Sequence, residues 1–311
     1  MDKALNRKRT LFYALLALGM VATFLLGIFF YPIIYTAGQT EVNQTEVSTF
    51  APSEWNGKTK YFTISTSHEQ QEIADGVLQE VWTFNGTVPG PAVKVTVGDK
   101  VHITLTNKSP TSHSIDFHAS VMAWNTGMKN INPGESMEIE FVAKYPGVFL
   151  YHCGTAPVLM HIGMGMYGAI VVDPVEPRQS AREVVFVQSE HYNSYEDMKA
   201  RNSSYVVFNG KAFQYERNPI EVKKNELIRA FVVNAGPQFV SNFHVIGTVF
   251  DTVFPDGNPH NKIVGMQAYT IPAGGAAVFE FRLGEAGLNP FVTHSFADAT
   301  QGAFGLFKVS A

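Results

Sequence analysis

The chain has 311 residues, of which 45% are hydrophobic and 16% are charged, and its formal net charge is −4. This length allows for about two domains, the apolar content excludes a disordered chain, and the acidic balance argues against nucleic-acid binding. The single cysteine, Cys153, excludes an intrachain disulfide framework and a zinc site with several thiolate ligands.

The first 36 residues have the composition of a membrane anchor. Residues 11–34 contain no charge and follow a basic cluster of Lys3, Arg7, Lys8 and Arg9. A helix of this length, rising about 1.5 Å per residue, crosses a hydrocarbon core of roughly 30 Å, whereas the apolar core of a cleaved signal peptide is shorter. We therefore expect residues 1–36 to be a membrane anchor or a signal segment, with retention as one N-terminal transmembrane helix favoured over cleavage. Everything after residue 36 is expected on the extracytoplasmic side of the cell membrane.

Residues 37–57 are polar and form a predicted linker, after which the pattern becomes that of β-strands. Runs rich in Val, Ile, Thr and Phe occupy residues 92–97, 102–106, 136–142 and 168–172, and Gly, Pro and Asn separate them. Because no long helical period appears, the sequence predicts an all-β fold of the Greek-key β-sandwich type.

The β region contains an internal repeat. The tripeptide Phe-Asn-Gly opens a block at residues 84–86 that ends at Asn107, and it opens a second block at residues 208–210 that ends at Asn234. Residues 131–153 resemble residues 271–295 in the same order. The repeat predicts two tandem sandwiches, domain 1 at residues 58–174 and domain 2 at residues 183–311.

The two halves differ at one position that matters for chemistry. His152-Cys153 in the first half falls opposite His294-Ser295 in the second, so only the first half can supply a thiolate ligand. Near Cys153 in the sequence lie two imidazoles and a thioether, the donor set of a blue-copper electron-transfer site. The candidate ligands are His113, Cys153, His161 and Met166, with Met164 as the alternative axial methionine.

A second set of histidines is expected to face away from the core that encloses Cys153. Side chains alternate along a strand, so a buried Cys153 turns His152 outward, and Asp116 and His118, two residues apart, share a face. The repeat makes His244 and His294 the counterparts of His118 and His152. Three imidazoles, from His118, His152 and His294, would hold a metal with an open position for a small ligand. The remaining histidines match nothing in this pattern and are interpreted as structural or surface residues: His68, His102, His191 and His260.

At these residues the chain resembles the two-domain copper nitrite reductases of the cupredoxin and multicopper oxidase superfamily, in particular the membrane-anchored Gram-positive type. The segments that carry the resemblance are HSIDFHA (113–119), NPGE (132–135), PGVFLYHC (146–153), LMHIGMGMYGAIVV (159–172), FHVIG (243–247) and THS (293–295). The resemblance implies two cupredoxin domains, of which domain 2 lacks a type 1 copper. The segment 120–131 departs from the family pattern and leaves access to the second metal open.

The resemblance also implies an activity and the roles of the residues. One type 1 and one type 2 copper per subunit would reduce nitrite to nitric oxide, with electrons from a small carrier such as a cytochrome c or a cupredoxin. It further implies a homotrimer in which His294 reaches the copper of a neighbouring subunit. The implied roles are type 1 copper ligands for His113, Cys153, His161 and Met166, type 2 copper ligands for His118, His152 and His294, and catalytic proton supply for Asp116 and His244.

Two other functions share part of this pattern. A laccase-like two-domain multicopper oxidase has the same fold and blue site, but its trinuclear cluster needs His-x-His pairs, and this sequence contains none. A membrane-tethered blue-copper electron carrier would need only the four type 1 ligands and would leave the second set of histidines unexplained. The number of coppers per chain separates the carrier from the reductase.

Overall fold

The computed structural model describes residues 57–310, which consist mainly of β-strands. The predicted membrane anchor and nearly all of the predicted linker lie outside these residues. Within residues 57–310, no helix has the length and apolarity that crossing a bilayer requires.

The first half of the described chain forms two four-stranded sheets, in the orders β2-β1-β4-β6 and β3-β8-β7-β5. The strands are β1 (Thr59–Ala74), β2 (Val77–Phe84), β3 (Val93–Thr96), β4 (Lys100–Asn107), β5 (Asp116–Phe117), β6 (Ser136–Val142), β7 (Gly147–His152) and β8 (Tyr167–Asp173). Two short helices and one 3₁₀ turn interrupt them: the turn His118–Ser120, α1 (Trp124–Gly127) and α2 (Val158–Gly163).

The second half forms a six-stranded sheet, β10-β9-β12-β17-β14-β15, and a five-stranded sheet, β11-β19-β18-β13-β16. Its strands are β9 (Arg182–His191), β10 (Tyr205–Phe208), β11 (Asn218–Lys223), β12 (Ile228–Gly236), β13 (Ser241–Val245), β14 (Phe250–Pro255), β15 (Ile263–Met266), β16 (Ala268–Ile271), β17 (Ala276–Phe281), β18 (Gly287–Thr293) and β19 (Phe304–Ser310). Its helices are α3 (Tyr195–Ala200), α4 (Gln214–Arg217) and α5 (Phe296–Thr300).

The internal repeat appears in the backbone as well as in the sequence. Asn85 and Asn209, the middle residues of the two Phe-Asn-Gly tripeptides, both have a left-handed φ, 56° and 54°. In each case the asparagine Oδ1 accepts a 2.7 Å hydrogen bond from a main-chain N–H, of Ser65 in the first half and of Val187 in the second. Asparagine tolerates this conformation better than most residues, which is why the same residue type recurs at both turns.

Each half has its own apolar core, and a third buried cluster joins the halves. Val148 and Leu150 of β7 belong to this third cluster together with Phe231, Val233 and Val278 of the second half. The main-chain N–H of Val148 also donates to the carbonyl of Asp256, at 2.8 Å. Strand β7 is thus held by both halves, which fixes the position of the residues that follow it.

Candidate metal centre

Strand β7 ends at the two residues on which the site is built. Phe149, Tyr151 and Cys153 point into the core of the first half, while Val148 and Leu150 point toward the second half. His152 lies on the same face of the strand as Val148 and Leu150, and it is partly exposed. One peptide bond therefore joins a fully buried thiol to an imidazole on the opposite face.

The buried group consists of His113, Cys153 and His161. The two histidine Nδ1 atoms are 3.2 Å apart, and the Cys153 Sγ lies 3.2 Å from Nδ1 of His161 and 3.9 Å from Nδ1 of His113. All three side chains are buried. Three potential ligand atoms thus converge on one point in the core.

Three separate pieces of chain bring these residues together. His113 is held by a two-bond bridge to the backbone of Ile131, and His161 lies in helix α2, which follows Pro157. Met166 closes the loop: its N–H donates to the carbonyl of His161 at 3.1 Å, and its carbonyl accepts from the N–H of Cys153 at 3.0 Å. Its side chain is fully buried in the same core cluster as Cys153. Met164 packs there less completely, and the choice between the two as axial ligand stays a prediction.

The environment of this group suits metal binding. Burial lowers the pKa of His113 to about 3, with a further contribution from His161, and burial lowers the pKa of His161 to about 4. Both imidazoles are therefore neutral at neutral pH, the form that can coordinate a metal. Nε2 of His113 hydrogen-bonds the Thr111 hydroxyl at 3.1 Å, which leaves Nδ1 facing the sulfur. Two imidazoles, a thiol and a nearby thioether form a donor set that fits copper.

The outward group consists of Asp116, His118 and His152. Nε2 of His152 lies 3.1 Å from Nε2 of His118 and 3.9 Å from Oδ2 of Asp116. Nδ1 of His152 donates to the carbonyl of Cys153 at 2.9 Å, so the lone pair on Nε2 is directed at His118. Removal of water from around the His118 ring, together with the nearby His152, lowers the pKa of His118. These atoms could hold a second metal.

Alternation of side chains along one strand, from which the sequence predicted this group, is not what brings Asp116 and His118 together in the structure. Strand β5 is only two residues long, and His118 begins a 3₁₀ turn instead of continuing the strand. The carboxylate of Asp116 is beside His152 because these two residues are cross-strand partners in the β5–β7 pair. The turn ends at Val121, whose φ of 50° is unusual for a β-branched residue.

His244 and His294 lie together in the second half, apart from the outward group. Their ring centroids are 5.5 Å apart, and His244 donates from Nδ1 to the carbonyl of Gln267 at 2.5 Å. Both rings line an open cleft of about 360 Å³ that Tyr269 and Thr270 also border. Among residues 57–310, the clusters of three or more potential ligands include neither histidine. A single chain therefore does not bring together all three predicted type 2 ligands.

Two residues near the buried group were missed by the sequence analysis. The ring of His68, which was interpreted as structural or surface, stacks on Trp82 with a centroid distance of 4.7 Å and an interplanar angle of 6°. Trp82 in turn packs edge-on against both His113 and His161. The signal that could have found the pair is strand register, because His68 and Trp82 are direct partners in the β1–β2 ladder.

Comparisons with known proteins agree with this geometry. A family model described as multicopper oxidase matches residues 65–177. The copper-containing nitrite reductase of Neisseria gonorrhoeae is 36% identical over 266 residues, covering 79% of this chain and 67% of the relative. The chain belongs to the copper-containing nitrite reductase family. The counterpart from Pseudomonas chlororaphis is 28% identical over 81% of this chain and 79% of its own length.

Solved structures extend this result to the fold. The copper nitrite reductase of Nitrosomonas europaea is 38% identical with a TM-score of 0.76, over 81% of this chain and 94% of that protein. The copper-containing nitrite reductase of Thermus scotoductus SA-01 is 34% identical with a TM-score of 0.79, but this chain spans only 62% of its length. The predicted resemblance to the copper nitrite reductases, the cupredoxin-type β fold and the expectation of copper are thereby confirmed, while membrane anchoring stays a prediction.

Proposed function

We propose that this chain reduces nitrite to nitric oxide: nitrite takes up one electron and two protons and yields nitric oxide and water. One observation carries the proposal. His152 and Cys153 are adjacent in the chain, yet they belong to two different groups of potential ligands, one exposed and one buried. A direct covalent connection between two metal sites suits the delivery of single electrons from one to the other.

The proposed ligand sets follow the two groups and the family resemblance. The type 1 copper would be held by His113, Cys153, His161 and Met166. The type 2 copper would be held by His118, His152 and His294. When bound, the first copper accepts an electron from a donor and the second offers an open position to nitrite. The buried group sits in apolar surroundings without a place for substrate, whereas the outward group is open to solvent. This difference supports the assignment of nitrite to the outward group.

Asp116 and His244 are proposed to supply the protons. The Asp116 carboxylate lies close enough to Nε2 of His152 to face a ligand bound there. His244 is fixed through Nδ1 by the carbonyl of Gln267, so its Nε2 faces the open cleft beside His294. A histidine is suited to proton delivery near neutral pH, with a carboxylate to orient and relay the proton.

We propose that the type 2 site is completed between subunits of a homotrimer. His294 does not join His118 and His152 within one chain, and large apolar side chains are exposed on both sides. Phe296 packs on His294 and is more than half exposed, and Trp124, which follows the His118 turn, is 74% exposed. Such exposed apolar side chains favour a protein–protein contact, and a ring brings one chain's first half against the next chain's second half.

The cellular setting is proposed from the sequence pattern. Residues 11–34 would anchor the chain in the cell membrane and hold residues 57–310 on the extracytoplasmic side. There a small carrier, such as a cytochrome c or a cupredoxin, would supply electrons.

The direct test is nitrite-dependent formation of nitric oxide by the copper-loaded chain with an artificial electron donor. We expect activity, two coppers per chain, and strong visible absorption from the Cys153 thiolate. Cys153→Ala should remove the absorption and the activity while one copper per chain remains. A single copper per chain without nitric oxide would instead identify an electron carrier. Oxygen consumption without nitric oxide would identify an oxidase.

A further inference from the structure

Four aromatic rings form a continuous cluster around the buried ligand group. His68 stacks on Trp82 at 4.7 Å, and Trp82 lies 4.9 Å from the His161 ring and 5.6 Å from the His113 ring. The His68 and His113 rings are themselves 5.8 Å apart. Trp82 thus contacts both ligand rings, and His68 contacts Trp82 and the His113 ring.

The ligand rings offer a donor almost no surface. His113 is fully buried, and His161 is only 4% exposed. Exposure rises along the cluster, to 7% for Trp82 and 16% for the side chain of His68. His68, which contacts both Trp82 and the His113 ring, is therefore the first ring of the cluster that an electron arriving on this side of the protein meets.

The His68–Trp82 stack is held in place by polar contacts at both of its members. The main-chain N–H of Trp82 donates to the carbonyl of Met164 at 2.8 Å, and its indole N–H donates to Glu80 at 3.4 Å. The Thr111 hydroxyl lies 3.3 Å from Nε2 of His68 and 3.1 Å from Nε2 of His113. A stack fixed in this way needs little rearrangement when charge passes through it.

We propose that the His68–Trp82 stack is the route by which electrons reach the type 1 site. In this step the donor is oxidised by one electron and the type 1 copper is reduced by one, and no bond or proton changes place. The carboxylate of Glu80 lies 3.8 Å from Nδ1 of His68 and is more than half exposed. It places a negative charge where the route meets solvent. The matching donor carries positive charge around its redox centre. The inference rests on the proposed type 1 site, but not on nitrite as the substrate.

The test measures how fast the visible absorption of the oxidised, copper-loaded chain is bleached by hexaammineruthenium(II), a cationic one-electron reductant, in the absence of nitrite. Trp82→Leu should slow bleaching about tenfold, equivalent to about 1.4 kcal/mol in the barrier, and His68→Leu should slow it less. Trp82→Phe, which retains a ring, should recover most of the rate. Tyr61→Leu is the matched control, because Tyr61 also packs on a histidine, His102, but on another part of the surface.

The readouts separate a route from a structural role. If the stack conducts electrons, the rate falls while the visible spectrum and the reduction potential of the type 1 copper stay unchanged. Bleaching at the wild-type rate in both Trp82→Leu and His68→Leu would overturn the proposal, as would a rate loss that scales with a shifted spectrum or potential. Because nitrite is absent, failure here leaves the proposed reductase activity untouched, and the reverse also holds.

Discussion

His152 and Cys153 occupy contrasting surroundings although they are neighbours in the chain. The thiol is buried in the apolar core beside two imidazoles, where a soft sulfur ligand is protected from solvent and oxidants. The imidazole has one nitrogen fixed by the adjacent carbonyl, and the other faces His118 and Asp116. A strand end achieves both environments at once, because alternation places consecutive side chains on opposite faces.

Asp116, in the outward group, and His244, in the second half, should matter for turnover without holding the metal. Asp116→Asn and His244→Ala should each retain two coppers per chain and lose about 10²–10⁴-fold in nitrite reduction, the usual loss when a proton donor is removed. Metal analysis and steady-state rates on the same samples check this. Loss of the second copper from either variant would make that residue a ligand and contradict the proposed division of roles.

At the scale of elements, the hairpin of β9 and β10 contains a buried histidine that is unrelated to the metal groups. His191 ends β9, pairs with Tyr205, and donates from Nε2 to the carbonyl of Gly210 at 3.0 Å. Burial lowers the pKa of His191 from 6.5 to about 4. The unfolded chain therefore binds a proton between these pH values that the folded hairpin does not. Protonation of the unfolded chain therefore lowers the free energy of unfolding as the pH falls from 6.5 toward 4, and this loss is absent above pH 6.5.

His191→Gln, which can still donate to Gly210, should remove this contribution to the pH dependence. Between pH 7.5 and pH 5 the wild-type chain should lose about 2 kcal/mol more free energy of unfolding than the variant. Urea denaturation of both proteins at the two pH values measures the difference. Identical pH dependence in the two proteins would show that His191 takes up its proton in the folded state as readily as in the unfolded state.

The strands and the candidate ligand types were predictable from sequence because both depend on local pattern. The four β-type runs correspond to β3, β4, β6 and β8, and the spacing of Cys153, His161 and Met166 fits one compact loop. What local pattern could not predict is register and chain direction at strand ends. The turn that begins at His118 and the pairing of His68 with Trp82 both depend on which strands lie side by side.

At the scale of the whole molecule, an assembled ring should rescue lesions that are fatal in a single chain. His118→Ala and His294→Ala should each be inactive as pure proteins. In mixed trimers, one interface of three pairs an intact first half with an intact second half, so about one third of the activity should return. Differently tagged chains, co-expressed and purified through both tags, provide the sample for copper analysis and nitrite assays.

The outcome depends on where His294 acts. If it served its own chain, every chain in the mixture would carry a lesion and no mixture could recover. Mixed trimers of verified composition that lack type 2 copper would therefore rule out the shared site.

The way β7 is shared between the halves has an evolutionary consequence. Val148 and Leu150 face the second half, so a separated first half would expose this apolar surface to water. The internal repeat indicates duplication of one module, and the apolar contact between the halves now favours keeping both in one chain. Deletion of the second half would expose that contact and remove one of the two supports of the strand that leads to Cys153.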